Sequence, residues 1–164
     1  MDHLKEALHQ GWRQFLEALH PDHRQMLIEV LRDEYVEEAQ HAAQFTQHAD
    51  RMAYPQFRES MLHIAREEQE HVAWLREKIL ALGGTIPVVS FTPKVGKNSW
   101  ECLLMDLEEE KRRCEDLLER MHLVEQSDPE VAEGLRRMRE EEKHHREQIL
   151  DMLVKSDSYS LPAR

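Results

Sequence analysis

Glycine and proline are scarce, at five and six residues in a chain of 164, and aromatic residues make up only 6%. So few turn formers, with few β-branched residues and many Glu, Leu, Ala and Arg, leave little for sheets and point to an all-helical protein. Cysteine occurs only as Cys102 and Cys114. Twelve residues apart on one predicted helix, the two would stand about 18 Å apart, beyond the reach of a disulfide. No Cys-x-x-Cys pair exists, which excludes a zinc ribbon or a rubredoxin-type iron site. No apolar run approaches the ~18 residues of a membrane span. The start, Met1-Asp2-His3-Leu4-Lys5, lacks the apolar run of a secretion signal, so a cytoplasmic location is expected. Cations are outnumbered, with 22 Lys and Arg against 33 Asp and Glu, for a net charge of −11. That balance disfavours nucleic acid and anionic membrane surfaces as partners. It suits the handling of cations, or simply solubility.

What is present is helical periodicity. The length fits one domain with a self-sufficient core. A short amphipathic helix is predicted from Asp2 to Leu19, with Leu4, Leu8, Trp12, Phe15 and Leu19 on one side. Its apolar surface needs a cover, so a homodimer or larger homo-oligomer is expected. Pro21 suits the first turn of a long helix reaching about Ala53. A second runs from about Gln56 to Leu82 and stops at Gly83-Gly84. Thr85 to Lys97, with Pro87, Pro93 and Gly96, is long for a loop and can cross the length of a bundle. Asn98 reads as an N-cap with Glu101 as its capping-box partner. The third helix reaches about Glu125, and Asp128-Pro129 starts a fourth that ends near Val154. The chain thus divides into residues 1–20, a four-helix bundle over 21–154, and a polar tail over 155–164. Two tight hairpins joined by one long crossover is the connectivity of ferritin-like bundles.

The chemistry lies in Glu-x-x-His pairs, whose members share one helix face. Random order of 24 Glu and 11 His would give about 1.6 such pairs, whereas seven occur, beginning at Glu6, Glu17, Glu38, Glu68, Glu119, Glu141 and Glu142. Helical phase separates them. His71 has Met61, Ile64, Leu75 and Ile79 in phase, and Glu68 lies in that stripe. His145 has Leu135, Met138, Ile149 and Leu153, and Glu142 lies in that one. His144 has Gly134, Arg137, Gln148 and Met152, so Glu142/His145 is preferred over Glu141/His144. A carboxylate and an imidazole in an apolar stripe need compensation, and a metal ion would supply it. On the third helix Glu110 has Leu103, Leu107, Cys114 and Leu118 in phase. On the first bundle helix Glu38 has Leu31, Tyr35, Ala42 and Phe45, with Glu34 as the alternative. Each hairpin then supplies one Glu followed by a Glu-x-x-His, 30 residues apart in one and 32 in the other. Four Glu and two His in this order is the pattern of two-metal carboxylate bundles. Mixed carboxylate and imidazole donors suit iron or manganese over zinc.

At these residues the chain resembles the bacterioferritin and rubrerythrin branch of the ferritin-like superfamily. Glu38 with Gln44-Phe45 and His48-Ala49 is similar to that family's E-x5-Q-Y-x2-H-A. Glu67 to His71 resembles its second-helix motif, Asp106 to Glu110 its D-L-x-x-E, and Glu140 to His145 its fourth-helix run. The resemblance spans about residues 25–154. It implies that Glu68 and Glu142 bridge two metals, that Glu38 and Glu110 are terminal ligands, and that His71 and His145 supply nitrogen. It also implies that Asp106, Glu67 and Glu141 orient the histidines. Where bacterioferritin has a haem-ligating Met after the second-helix Glu, this chain has Gln69, so no haem is expected. Where rubrerythrin carries a Cys-x-x-Cys module, this chain has none, so any electron donor is a separate protein. His41 stands where the family has a small or apolar residue; it is read as partly exposed, with a place in or beside the metal shell as the alternative. The implied function is a non-haem di-iron oxidoreductase reducing peroxide or dioxygen. A ferroxidase serving an iron store, or a non-catalytic metal-binding or interaction module, are the alternatives.

Overall fold

A computed structural model describes residues 21–156. The predicted N-terminal helix, with Trp12 and Phe15, and the tail beyond residue 156 lie outside the described residues. Four helices follow one another: α1 (Pro21–Ala49), α2 (Pro55–Ala81), α3 (Ser99–Val124) and α4 (Pro129–Lys155). Among the described residues there is no strand, and no helix is long and apolar enough to cross a membrane.

The helix ends follow from local chemistry. α1 stops four residues before the expected Ala53. Arg51 and Met52 turn their N–H groups back to the carbonyls of His48 and Ala49. Ser99 then holds the turn, its Oγ accepting from Ala53 N at 2.7 Å and donating to Arg51 O at 2.8 Å. Met52 is buried there, 4% exposed, so the chain turns to bury an apolar side chain instead of adding a last helical turn. α2 ends in a Schellman arrangement: Gly84 N donates to Ile79 O and Gly83 N to Leu80 O. Gly83 takes φ +79°, a left-handed value that glycine adopts without a Cβ penalty. Asn98 caps α3 by accepting from Glu101 N at 2.9 Å. Glu101 reaches back to accept from Lys97 N at 2.8 Å, one residue before the N-cap. Asp128 caps α4 through Val131 N at 3.0 Å, with Pro129 in the first turn.

α1 packs mainly on α2, and α3 on α4; α1 meets α3 and α2 meets α4 between the hairpins. α2 rises about 40 Å at 1.5 Å per residue, and the irregular segment after it returns along that length. Arg32 Nη1 ties the start of the segment, donating to Thr85 O and Oγ1 at 2.5 Å. Further along, both backbone groups of Lys94 are held by α1: its N–H by Gln44 Oε1 at 3.1 Å, its carbonyl by His48 Nε2 at 2.5 Å.

The core is split along the bundle axis. One apolar cluster contains Leu27, Leu31, Leu75, Ile79, Leu117 and Leu135. The other contains Phe45, Met61, Ile64, Leu103, Ile149 and Met152. The predicted ionisable residues fall between them in all four helices. Cys102 and Cys114 are both buried free thiols.

One close approach sets the spacing of α2 and α4. A Cβ built on Gly134 would overlap Cη2 and Cζ2 of the Trp74 ring. We expect Gly134→Ala to destabilise the protein by about 1–3 kcal/mol through overpacking. The double variant with Trp74→Leu should recover most of that loss. Denaturant titration of the four proteins measures it, and simple additivity would show that the two positions do not touch.

Candidate metal centre

All six predicted donors are buried. Glu38, Glu68, Glu110 and Glu142 are 0% exposed, and His71 and His145 are 6% and 1% exposed. Each is placed by the stripe that singled it out in the sequence. Glu68 and His71 lie between Ile64 and Leu75, and Glu142 and His145 between Met138 and Ile149, all buried. His144, one residue out of phase, has a side chain 66% exposed.

The six side chains converge as two overlapping sets of four. One is Glu38, Glu68, His71 and Glu142; the other is Glu68, Glu110, Glu142 and His145. Within each set, one donor atom per residue lies within 4.8 Å of every other. Glu68 and Glu142 belong to both, the positions that the resemblance assigns to bridging carboxylates. The imidazoles share one orientation. His71 Nδ1 points inward, 3.0 Å from Glu68 Oε2 and 3.4 Å from Glu38 Oε2. His145 Nδ1 points inward, 3.1 Å from Glu68 Oε1 and 3.7 Å from Glu142 Oε2. The Nε2 atoms point outward, His71 to Glu141 Oε2 at 2.5 Å and His145 to Glu67 Oε2 at 3.1 Å. An outward Nε2–H bonded to a carboxylate fixes the tautomer and leaves Nδ1 as a lone-pair donor.

The residues fit a cation. Glu68 Oε1, both oxygens of Glu110, both of Glu142, and His145 Nδ1 are buried with no hydrogen-bond partner among the described residues. That concentration of orphaned acceptors in one place is what buried polar groups avoid unless something compensates them. Their protonation shows the same stress. Burial, reinforced by the nearby Glu142 charge, pushes Glu110 far up. Burial also raises Glu38 against the pull of Arg113. Burial opposes charge on His145 as well, but Glu142 and Glu68 outweigh it and lift the imidazole to about 10.

Two of the three expected orienting acids contact the donor histidines, each across the bundle. Glu67 of α2 bonds His145 of α4, and Glu141 of α4 bonds His71 of α2. Asp106 does not. Its carboxylate accepts from His48 Nδ1 at 2.8 Å, so it serves the crossover clasp. His48 donates from both nitrogens, to Asp106 and to the Lys94 carbonyl. That is the pattern of an imidazolium. His41 is buried, 8% exposed, where partial exposure was expected. Phe45 packs edge-on against it, and its Nε2 lies 3.8 Å from Glu109. His41 lines a cleft of about 200 Å³ between α1, α3 and the crossover, together with Phe91, Glu109 and Arg112.

Sequence reasoning missed Arg113. Arg113 is 0% exposed, among the most completely buried side chains of the molecule. Its Nη2 donates to Glu34 Oε1 and to Glu38 Oε1, and its Nη1 donates to Glu37 Oε2 at 2.9 Å. Arg120, one pair of turns further on, bonds Glu34 and Glu37. Glu34, the alternative to Glu38, is therefore buried against two arginines and belongs to neither donor set. The signal was available: Glu34, Glu37 and Glu38 share a face of α1, and Arg113 and Arg120 share one of α3 at a spacing of seven.

The sequence model of the ferritin-like domain family matches residues 44–158. No curated protein matches the chain in sequence. Among solved structures, the bacterioferritin of Desulfovibrio desulfuricans, described with its diiron site in different catalytic states, superposes with a TM-score of 0.74 at 24% identity, covering 81% of each chain. A ferritin-like diiron-carboxylate protein of Bacillus anthracis gives 0.74 at 21% identity, over 82% of this chain and 99% of its own. A Dps protein of Bacillus brevis gives 0.73 at 14% identity, over 82% and 99%.

The clasp carries a pH signature. Burial disfavours the charged His48 ring, but its bond to Asp106 outweighs this and raises it to about 10 from an ordinary 6.5. The pair therefore contributes its full stability below about pH 6.5 and loses it as pH rises through 10. His48→Gln, which strands Asp106, should cost about 3–5 kcal/mol at pH 6. That cost should shrink between pH 6.5 and 10, as read from denaturation midpoints. A cost independent of pH would rule out the ion pair.

Proposed function

Because this chain belongs to the ferritin-like domain family, we propose that Glu38, Glu68, His71, Glu110, Glu142 and His145 hold two iron ions, and that the protein is a non-haem oxidoreductase reducing peroxide or dioxygen. The observation that carries the reading is the pair of four-donor sets sharing Glu68 and Glu142. Two divalent ions would balance four carboxylates, and donors of this hardness suit iron first, with manganese as the nearest substitute. When bound, a ferrous pair would supply two electrons, enough to take hydrogen peroxide and two protons to water.

The protein's own part is positioning and insulation. The carboxylates of Glu68 and Glu142 face both sets and would hold both ions when they are bound. Glu141 and Glu67 hold the imidazoles with Nδ1 inward, which strengthens them as donors. The apolar clusters above and below exclude water from both ends. An external electron-donor protein would restore the ferrous state, since Cys102 and Cys114 are buried singly.

A second reading has its own support. Relatives in fold include proteins named bacterioferritin and Dps, and the same centre could oxidise ferrous ion for a store. Solution size and iron retention separate the two. A small oligomer retaining about two irons per chain favours the oxidoreductase. A many-subunit particle that accumulates iron beyond that favours storage.

For the enzyme reading, ferrous protein should consume one peroxide per pair of irons, and Glu68→Gln should reduce this to background. Glu67→Ala, which touches no proposed metal, should weaken binding of one of the two ions by about 10- to 100-fold. Unchanged peroxide consumption in Glu68→Gln would defeat the proposal.

A further inference from the structure

The two hairpins are pseudo-symmetric, but the residue three places after each terminal Glu differs. After Glu110 it is Arg113, and after Glu38 it is His41. Arg113 reaches across from α3 to α1 and bonds the opposite terminal carboxylate, Glu38, through Oε1. His41 does not return the favour. Among the described residues its nearest carboxylate is Glu109, at 3.8 Å, and neither oxygen of Glu110 receives a hydrogen bond. The guanidinium also lies 3.9 Å from Glu142 Oε1. It is 0% exposed and cannot shed its proton. Glu34, Glu37 and Arg120 fix it from behind, so it cannot swing away to release Glu38.

We infer that Arg113 is a positioning residue that makes the two metal positions unequal: the position beside His71 fills second, binds more weakly, and is the one left open to an exogenous ligand. The inference rests on the two-metal reading above. Its physical basis is the count of free oxygens. Glu38 offers only Oε2 uncommitted, because Oε1 already accepts a charge-assisted bond that weakens it as a donor. Glu110 can offer both. Each position has three carboxylates and one imidazole, but the one beside His71 has one fewer uncommitted oxygen and a fixed cation behind its terminal ligand. One fewer uncommitted oxygen leaves room for a small oxidant or anion on that side, while the position beside His145 and Glu110 is the better closed and the better held.

Cobalt(II) tests this on the full-length protein, with calorimetry for affinity and visible absorption for coordination. Two ions should bind in separate steps, the first about 10- to 100-fold tighter, the worth of one charge-assisted hydrogen bond. The second should give the more intense visible band, as expected for a lower coordination number, and azide should perturb that band alone. His71→Ala should remove the weaker step and His145→Ala the tighter one. Arg113→Gln should close most of the gap and weaken the azide response. If that variant does not fold, Arg113→Gln with Glu34→Gln, which removes the stranded carboxylate as well, makes the same test. Equal steps in the wild type would overturn the inference while leaving the metal centre standing. So would loss of the tighter step in His71→Ala, or an unchanged gap in a folded Arg113 variant. Failure of the wild type to bind cobalt at all would instead defeat the metal reading, and this inference with it.

Discussion

Carboxylates are among the least tolerated groups in an apolar interior, and here Glu38, Glu68, Glu110 and Glu142 stand at mid-height in a helix bundle with no exposure. Their repulsion and lost hydration must be offset locally, because apolar clusters close the bundle at both ends. The rest of the molecule is arranged around that requirement. The two histidines face the carboxylates with Nδ1, and two further acids at the bundle surface hold the histidines in that orientation. The helices that carry them are 26 to 29 residues long, so the donors sit on rigid elements.

The same requirement explains the second charged layer. Glu34 and Glu37 on α1 face Arg113 and Arg120 on α3. Two negative and two positive charges cancel, so this layer asks for no ion of its own. It is joined to the centre at one point, the bond from Arg113 to Glu38. The joint between the hairpins is thus electrostatic beside the centre and apolar elsewhere. On the other side of the centre the charged pair His48–Asp106 joins α1 to α3 and secures the crossover. Both apolar clusters also draw on all four helices, so these polar ties add to an apolar joint between the hairpins.

Much of the fold and of the candidate centre's placement was legible in the sequence, because both depend on one-dimensional signals. Helical phase placed His71 and His145 among buried Ile, Leu and Met, and set aside His144, which is exposed. Gly83, Asn98 and Asp128 marked ends where the backbone needs a special conformation or a side-chain acceptor. What escaped was pairing across helices. Arg113 reads as surface by residue type, and only the facing glutamates of α1 make its burial possible. Asp106 looked like a partner for a donor histidine, yet its phase brings it to His48. His41 was read as partly exposed because phase cannot report that Phe45 and the crossover cover that side of α1. Each miss is a charged or titratable residue whose burial depends on a partner more than 50 positions away, except His41, which is covered by its surroundings.

The central claim is that two metal ions lie between Glu68 and Glu142. Crystals of the protein loaded with ferrous ion, measured by anomalous diffraction on both sides of the iron absorption edge, test it most directly. Two peaks per chain should appear inside the bundle, about 3.5–4 Å apart, one beside His71 and the other beside His145. An empty interior, or iron found only on the acidic surface, would contradict it.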